Sequence, residues 1–460
     1  MSTDFLLRPL FFNKTDYVFR DIGEIILAVN RENRQFFKFE ETAAEIFRLI
    51  EKGLEVFDIS REVCKAYNCD EMFSEVKSDV ENFVLELAAL GIVAGDNQWS
   101  ELETTETTVA VSRQGTSSID ENEVIDYFSS RMIPYSATWE ITSLCNLKCS
   151  HCYCATPGLG AWTVNKARTA LEEMMAIGVI DIEFTGGECL AHPDFFEILS
   201  LAYDRGFIIS ILTNGSLLSD ERAKLIADVK PRNVQISVYS LRDGIHDGIT
   251  RTPGSLQKTL KAIDSLQSFG IRPTIACPLT RINKESVDEL HAWATKKGLE
   301  LKFSVKLSKS ENNERIPEQL RIQSRDFDSL LWDARVNPYL RDDIRTLSRV
   351  DKSTRMICQA GFRNFSLDAY GNLFPCNSLR MPCGNIISES LSHVWKNSSS
   401  LARWRKVTID DYPKCASCDA KDVCSPCPAD HFSDTGLIDA ISQQDCSVGW
   451  KTYCAWRDLK

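Results

Sequence analysis

The chain has 460 residues, 43% hydrophobic and 26% charged, with 65 Asp and Glu against 53 Lys and Arg for a formal net charge of −12. That composition excludes a disordered or fibrous chain, the length calls for two to four domains, and the acidic balance excludes nucleic acid as the main partner. No run of some 18 apolar residues and no signal-peptide pattern is visible, so a cytoplasmic chain with no membrane partner is expected. Its 17 cysteines are then expected to stay thiols, and clustered thiols in a reducing compartment bind metal or do redox chemistry.

Residues 1–95 read as a small winged-helix-like domain. Two β-rich runs, Glu24–Val29 and Gln35–Phe39, flank a polar turn as in a hairpin, and helical periodicity follows at Glu41–Ile50 and from Phe73 to Leu90. Cys64 and Cys69 fall in the helical part, where core packing accounts for them. Residues 96–132, rich in Thr, Ser and Glu, read as a linker. Residues 133–335 alternate strands (137–141, 179–184, 207–212, 233–238, 274–276, 301–305) with helices (165–177, 195–204, 220–227, 255–268, 284–297). That rhythm predicts βαβ units and an α/β fold, a partial (β/α)6 TIM-like barrel with its sites at the C-terminal strand ends. Residues 336–460 read as a connector and a Cys-rich C-terminal domain without long helices, held together by bound metal. The charged stretch Asn312–Ser353 is a candidate lid.

The first barrel strand runs into Cys145-Asn-Leu-Lys-Cys149-Ser-His-Cys152. Three thiolates on one loop suit a four-iron cluster and leave one iron open. An apolar helical stripe would give the same spacing, but Asn146, Lys148, Ser150 and His151 interleave, and Pro157, Gly158 and Gly160 follow. The second strand ends in Gly186-Gly187-Glu188, where paired glycines permit close backbone approach and Glu188 is a candidate to hold an ammonium. The third ends in Thr213-Asn214-Gly215, and the fourth contains Ser237 and Tyr239.

CxxxCxxC, GGE and TNG at successive strand ends resemble the radical S-adenosylmethionine (SAM) superfamily over roughly residues 133–310. The resemblance implies a catalytic [4Fe–4S] cluster on Cys145, Cys149 and Cys152, with Gly186, Gly187 and Glu188 at the methionine amino group of SAM. It also implies Ser237 near the ribose or carboxylate, with Arg251 a further candidate for the carboxylate. Cys189 stands where relatives usually have proline and reads as a small buried residue.

Downstream lie Cys358, Cys376, Cys383, Cys415, Cys418, Cys424, Cys427, Cys446 and Cys454. Paired CxxC units suit zinc, but nine cysteines fit two four-iron clusters better. The array resembles the SPASM domain, which implies two auxiliary [4Fe–4S] clusters. One would use Cys358, Cys376 and Cys427, with Cys383 or a substrate thiolate as fourth ligand. The other would use Cys415, Cys418, Cys424 and Cys446, with Cys454 an alternative to Cys446.

The N-terminal pattern resembles PqqD-like peptide-recognition domains, which bind a leader peptide as an added strand. The domain order resembles sactisynthase-like enzymes. It implies a maturase of a ribosomally made peptide, forming an intrapeptide thioether from Cys sulfur to carbon and taking electrons from a flavodoxin or ferredoxin. Carbon–carbon cross-linking, a sulfatase-maturase-like oxidation and a non-catalytic cluster-bearing regulator are the rival expectations.

Overall fold

The computed structural model describes residues 6–95, 116–152, 160–308, 319–331, 333–336, 356–421, 424 and 426–459. It divides into two units, residues 1–127 with 206–208, and the remainder.

In the first unit, short strands β1 (Phe11–Phe12) and β5 (Val93–Ala94) pair with each other. The main antiparallel sheet takes β2 (Tyr17–Asp21), β3 (Ile25–Asn30), β4 (Phe36–Glu40) and β6 (Thr116–Ile119) in that order. Helices Glu41–Glu51, Val56–Tyr67 and Phe73–Ala89 follow β4. Phe37, Phe39, Phe47, Ile50, Val80 and Val84 are buried together, the sheet supplying period-two residues and the helices period-3.6 ones. Cys64 is buried as expected. The sheet exceeds the expected hairpin at both edges. Tyr17–Asp21, whose residues carry no period-two alternation, pairs with β3 at one edge, and β6 at the other comes from the stretch read as linker. Residues 116–119 become a strand because β4 offers them an unpaired edge, which no local pattern announces. Helix Glu121–Ser130 follows, and 96–115 lie outside the described residues.

The second unit is built on parallel strands β7 (Ser136–Glu140), β8 (Asp181–Thr185), β9 (Ile208–Thr213), β10 (Asn233–Ser237), β11 (Thr274–Pro278) and β12 (Leu301–Ser304). The intervening helices are Val164–Ala176, Phe195–Asp204, Asp220–Asp228, Asp243–Thr250, Ser255–Ser268 and Val287–Lys297. This is the expected six-stranded α/β arrangement. Trp139, Phe184, Ile211, Ile236 and Ile275 are fully buried along its strands, as a sheet covered by helices requires. Beyond β7 the sheet continues: β13 (Asn364–Leu367) lies parallel to it, and β14 (Asn372–Phe374) and β15 (Gly384–Asn385) follow antiparallel.

The Cys-rich segment contains the 17-residue helix Gln443–Leu459 where no long helix was expected. Cys446, Gly449 and Cys454 interrupt its apolar period, and the cysteine side of the helix serves a cavity rather than a core. Of Asn312–Ser353 the described part holds helix Ser324–Leu331; the remainder lies outside the described residues. No described helix is long and apolar enough to cross a membrane.

Candidate functional site

The loop after β7 is tied down on two sides. Lys148 N donates to Thr250 O (3.1 Å) and Ser150 N to Ile249 O (2.8 Å), both at the end of helix Asp243–Thr250. On the other side Asn146 Nδ2 donates to Ser216 Oγ (2.8 Å), and Asn214 Nδ2 donates to Asn146 Oδ1 (3.1 Å). Every second or third residue between the cysteines is therefore anchored, which pre-sets where the thiols point.

The three thiols lie within electrostatic reach of one another. Burial pushes the Cys145 thiol up to about 11 and the Cys149 thiol up to about 12, and mutual repulsion with Cys152 adds to both. Without metal the Cys145 and Cys149 thiols are neutral, so taking up iron would release their protons. Leu147 N donates to Cys145 Sγ (3.4 Å), the kind of contact that supports a cluster thiolate. The Tyr239 hydroxyl hydrogen-bonds with Ser237 and reaches the Cys149 thiol. His151 packs edge-on to Tyr239 at 4.8 Å, and burial lowers its pKa to about 4, so it is neutral. The donor set thus fits a [4Fe–4S] cluster.

The two glycines make a close backbone contact of their own. A Cβ on Gly186 (φ +139°) would stand 2.3 Å from Thr142 O, and one on Gly187 would stand 2.4 Å from Leu144 O. Their bareness lets the end of β8 lie against the backbone leading into Cys145, where Gly187 N and Glu188 N donate to Thr142 O (2.9 Å) and Leu144 O (2.8 Å). Glu188 is turned inward and only 2% exposed. Its carboxylate accepts from Thr213 Oγ1 (2.5 Å), Asn214 N (2.7 Å) and Leu190 N (3.0 Å), joining the GGE turn to the TNG turn. Burial outweighs those bonds and raises its pKa. Cys189 is fully buried, as expected, beside Leu212 O. Arg251 is exposed, with φ +51°, directly after the helix end that holds Lys148 and Ser150.

Among the C-terminal cysteines, Cys415, Cys418, Cys424 and Cys446 line one 470 Å³ cavity with Pro426, Ile441 and Trp450. Cys454, the alternative to Cys446, sits two turns further along the helix, beside Arg457. Gly449 on that helix makes room for a sulfur, since a Cβ there would be 2.3 Å from Cys424 Sγ. Among the described residues no three His, Cys, Asp or Glu side chains converge as a single ion's ligands would. Thiols spread around a cavity suit a multi-iron cluster better than one zinc.

The other expected set is drawn together only in part. Cys376 lies beside Cys358 and the Arg380 guanidinium, whose charge opposes the upward push of burial on the Cys376 thiol. Cys383 instead packs near Ser398 and Arg405 and donates to Met381 O (3.3 Å). Cys427 faces Asp430, Lys306 and Asp445, and its N–H donates to Asp445 Oδ2 (2.8 Å).

Sequence reasoning missed several supports. Lys306, just past β12, pairs with Asp445 and with Asp430 (3.5 Å), and His431 Nε2 hydrogen-bonds with Asp445 (3.0 Å). Arg380 pairs with Glu140, the last residue of β7. Spacing gives no hint of these long-range pairs. Asn146 and Asn214 could have been found, since each lies inside a motif already singled out.

Residues 139–294 match the radical SAM superfamily model, 358–419 the SPASM iron–sulfur cluster-binding domain, and 26–93 coenzyme PQQ synthesis protein D (PqqD). Among curated relatives, the AdoMet-dependent heme synthase of Methanosarcina barkeri is 24% identical over 357 residues, spanning 71% of this chain and 98% of its own length. The antilisterial bacteriocin subtilosin biosynthesis protein AlbA of Bacillus subtilis is 27% identical over 283 residues, spanning 59% of this chain and 62% of its own. Among solved structures, Streptococcus suis SuiB bound to precursor peptide SuiA covers 95% of this chain and 99% of its own, with a TM-score of 0.60 at 16% identity. Native anSMEcpe with bound AdoMet covers 71% of this chain and 97% of its own, with a TM-score of 0.56 at 18% identity. With all three domains present, the chain's cofactors are [4Fe–4S] clusters and SAM.

Proposed function

We propose that this chain, a radical SAM enzyme carrying SPASM and PqqD domains, matures a ribosomally made peptide by forming a thioether between a Cys sulfur and a carbon of the same peptide. The observation that carries the peptide reading is the PqqD match at 26–93, on a sheet that takes up an added strand at β4. Relatives named for subtilosin biosynthesis and sporulation killing factor maturation, and the likeness to SuiB over 95% of the chain, support it. The heme synthase likeness favours a second reading, action on a tetrapyrrole. The match spans 98% of that relative and 71% of this chain, and a tetrapyrrole substrate names no task for the PqqD-matched unit.

Cys145, Cys149 and Cys152 would hold the cluster, which together with SAM would supply radical chemistry for hydrogen removal from an unactivated carbon. The chain's own groups hold and orient. Asn146, Lys148 and Ser150 fix the cysteine loop, and Glu188 fixes the TNG turn against it. The half-buried turn at Gly186 and Gly187, Ser237 and Arg251 are the groups we assign to SAM. Cys415, Cys418, Cys424 and Cys446 are assigned to one auxiliary cluster, and Cys358 and Cys376 to part of another. A flavodoxin or ferredoxin is the proposed electron source.

The test uses the cysteine-bearing peptide encoded by a neighbouring reading frame, the reconstituted enzyme, SAM and a reductant. Joining S to C removes two hydrogen atoms, so the product is about 2 Da lighter and carries one alkylatable thiol fewer. A mass loss with the thiol count unchanged overturns the thioether and favours a carbon–carbon link. An unmodified peptide overturns the peptide reading.

A further inference from the structure

The edge of β4 is already taken by the chain itself. Thr116–Ile119 pairs antiparallel along it, with Phe36 opposite Ile119, Phe37 opposite Ser118, Lys38 opposite Ser117 and Phe39 opposite Thr116. This strand comes from outside the hairpin-and-helix domain, about 75 residues after β4 in sequence. It is four residues long, and three of the four are Thr or Ser. Ser118 is exposed. Backbone pairing rather than apolar burial therefore holds it, which makes it a weak occupant of a strong edge. The edge is strong because Phe36, Phe37 and Phe39 of β4 are all at most 1% exposed and fixed in the core.

The occupant is held in register from one end. Glu121, two residues past the strand, pairs with Arg34 in the β3–β4 turn (2.6 Å), and Asp120 Oδ1 accepts from Glu123 N (2.9 Å) at the start of the next helix. Anchoring just past Ile119 keeps the strand at high effective concentration beside β4.

We infer that Thr116–Ile119 is an intramolecular competitor for the β4 edge, where the peptide of the proposed function would add as a strand. Only one strand can use the outward N–H and C=O groups of β4, so peptide and β6 exclude one another. Docking of the peptide then frees residues 116–119 from the sheet. The inference rests on the peptide-maturase reading and adds to it what must leave the sheet before the peptide docks.

The experiment compares the full chain with Ser117→Pro/Ser118→Pro, which removes two backbone donors and disfavours the paired strand. Hydrogen exchange at 36–39 and affinity for the neighbouring-frame peptide are read together. In the variant the β4 amides facing β6 exchange faster, the peptide restores their protection, and it binds about tenfold tighter than to the parent, as expected when an edge open about a tenth of the time becomes fully open. Ser118→Val, which adds a β-branched partner across from Phe37, gives the opposite shift and stands in should the proline pair fail to fold. Exposed β4 amides with unchanged affinity overturn the inference and leave the maturase reading intact. So does weaker binding by the proline variant, which would place the peptide outside β6. A peptide that binds neither protein overturns the underlying reading as well.

Discussion

Glu188→Gln isolates the contact between the GGE and TNG turns while keeping the side chain's shape. The native carboxylate accepts three hydrogen bonds of 2.5–3.0 Å, and the Asn214 N–H at 2.7 Å is alone on Oε2. An amide in its place turns an NH2 toward that N–H and strands it, at about 1–3 kcal/mol. The bonds from Thr213 and Leu190 lose their charge assistance, together about 1 kcal/mol more. Against this stands the relief of no longer burying a charge, since burial raises the Glu188 pKa. The net is about 2 kcal/mol, which corresponds to about 30-fold faster opening of the turn. Hydrogen exchange of a peptide spanning 210–216, in the cluster-loaded protein without SAM, reads it directly. Unchanged exchange together with lost SAM affinity would refute the reasoning, because the carboxylate would then be acting on the ligand rather than on Asn214.

Gly449→Ala inverts the usual preference: alanine in a helix interior ordinarily gains about 1 kcal/mol over glycine, but here the new Cβ meets Cys424 Sγ at 2.3 Å. Iron and sulfide analysis is expected to show a loss of about four iron atoms per chain, and a full complement would contradict the assignment of Cys424. Arg380→Gln leaves Glu140 buried without this partner and costs about 3–5 kcal/mol, whereas Glu140→Gln/Arg380→Gln together cost much less; a denaturation double-mutant cycle returning no coupling would refute this. Asp247 accepts from Gly254 N, Ser255 Oγ and Leu256 N, and although burial opposes them these bonds hold its pKa below the ordinary carboxylate value. Its contribution is present above the ordinary carboxylate pKa and is lost as pH falls through the depressed one. The stability gap between the parent and Asp247→Asn should therefore close on acidification, and a gap independent of pH would contradict it.

The barrel strands were legible to within one or two residues because each is a short apolar run bounded by polar turns. The CxxxCxxC loop was equally plain, since its chemistry depends on local spacing. What the chain does not announce is which way a side chain faces. Glu188 reads in sequence as a ligand candidate, and nothing local announces that its carboxylate accepts from Thr213 and Asn214, at and just past the end of the next strand, 25 and 26 residues away. Gly186 and Gly187 likewise answer to the backbone of Thr142 and Leu144. Strand β13 was invisible because it matters only beside β7, and β6 because it matters only beside β4. Cys383 carries the same letter as its neighbours, but the Cys383 N–H bond to Leu373 O holds it in the β14–β15 region, apart from Cys376.

The ladder between β7 and β13 has a further consequence. Trp139, six residues before Cys145, stands opposite Leu367, nine residues before Cys376. Both cysteine regions thus spring from adjacent rungs of one hydrogen-bonded sheet, with no hinge between the strands that carry them. The spacing of iron held at the two places would then be fixed in part by this ladder as the sheet forms. Electron exchange across it would be paced by the driving force and by the arrival of reductant, not by the two halves swinging together.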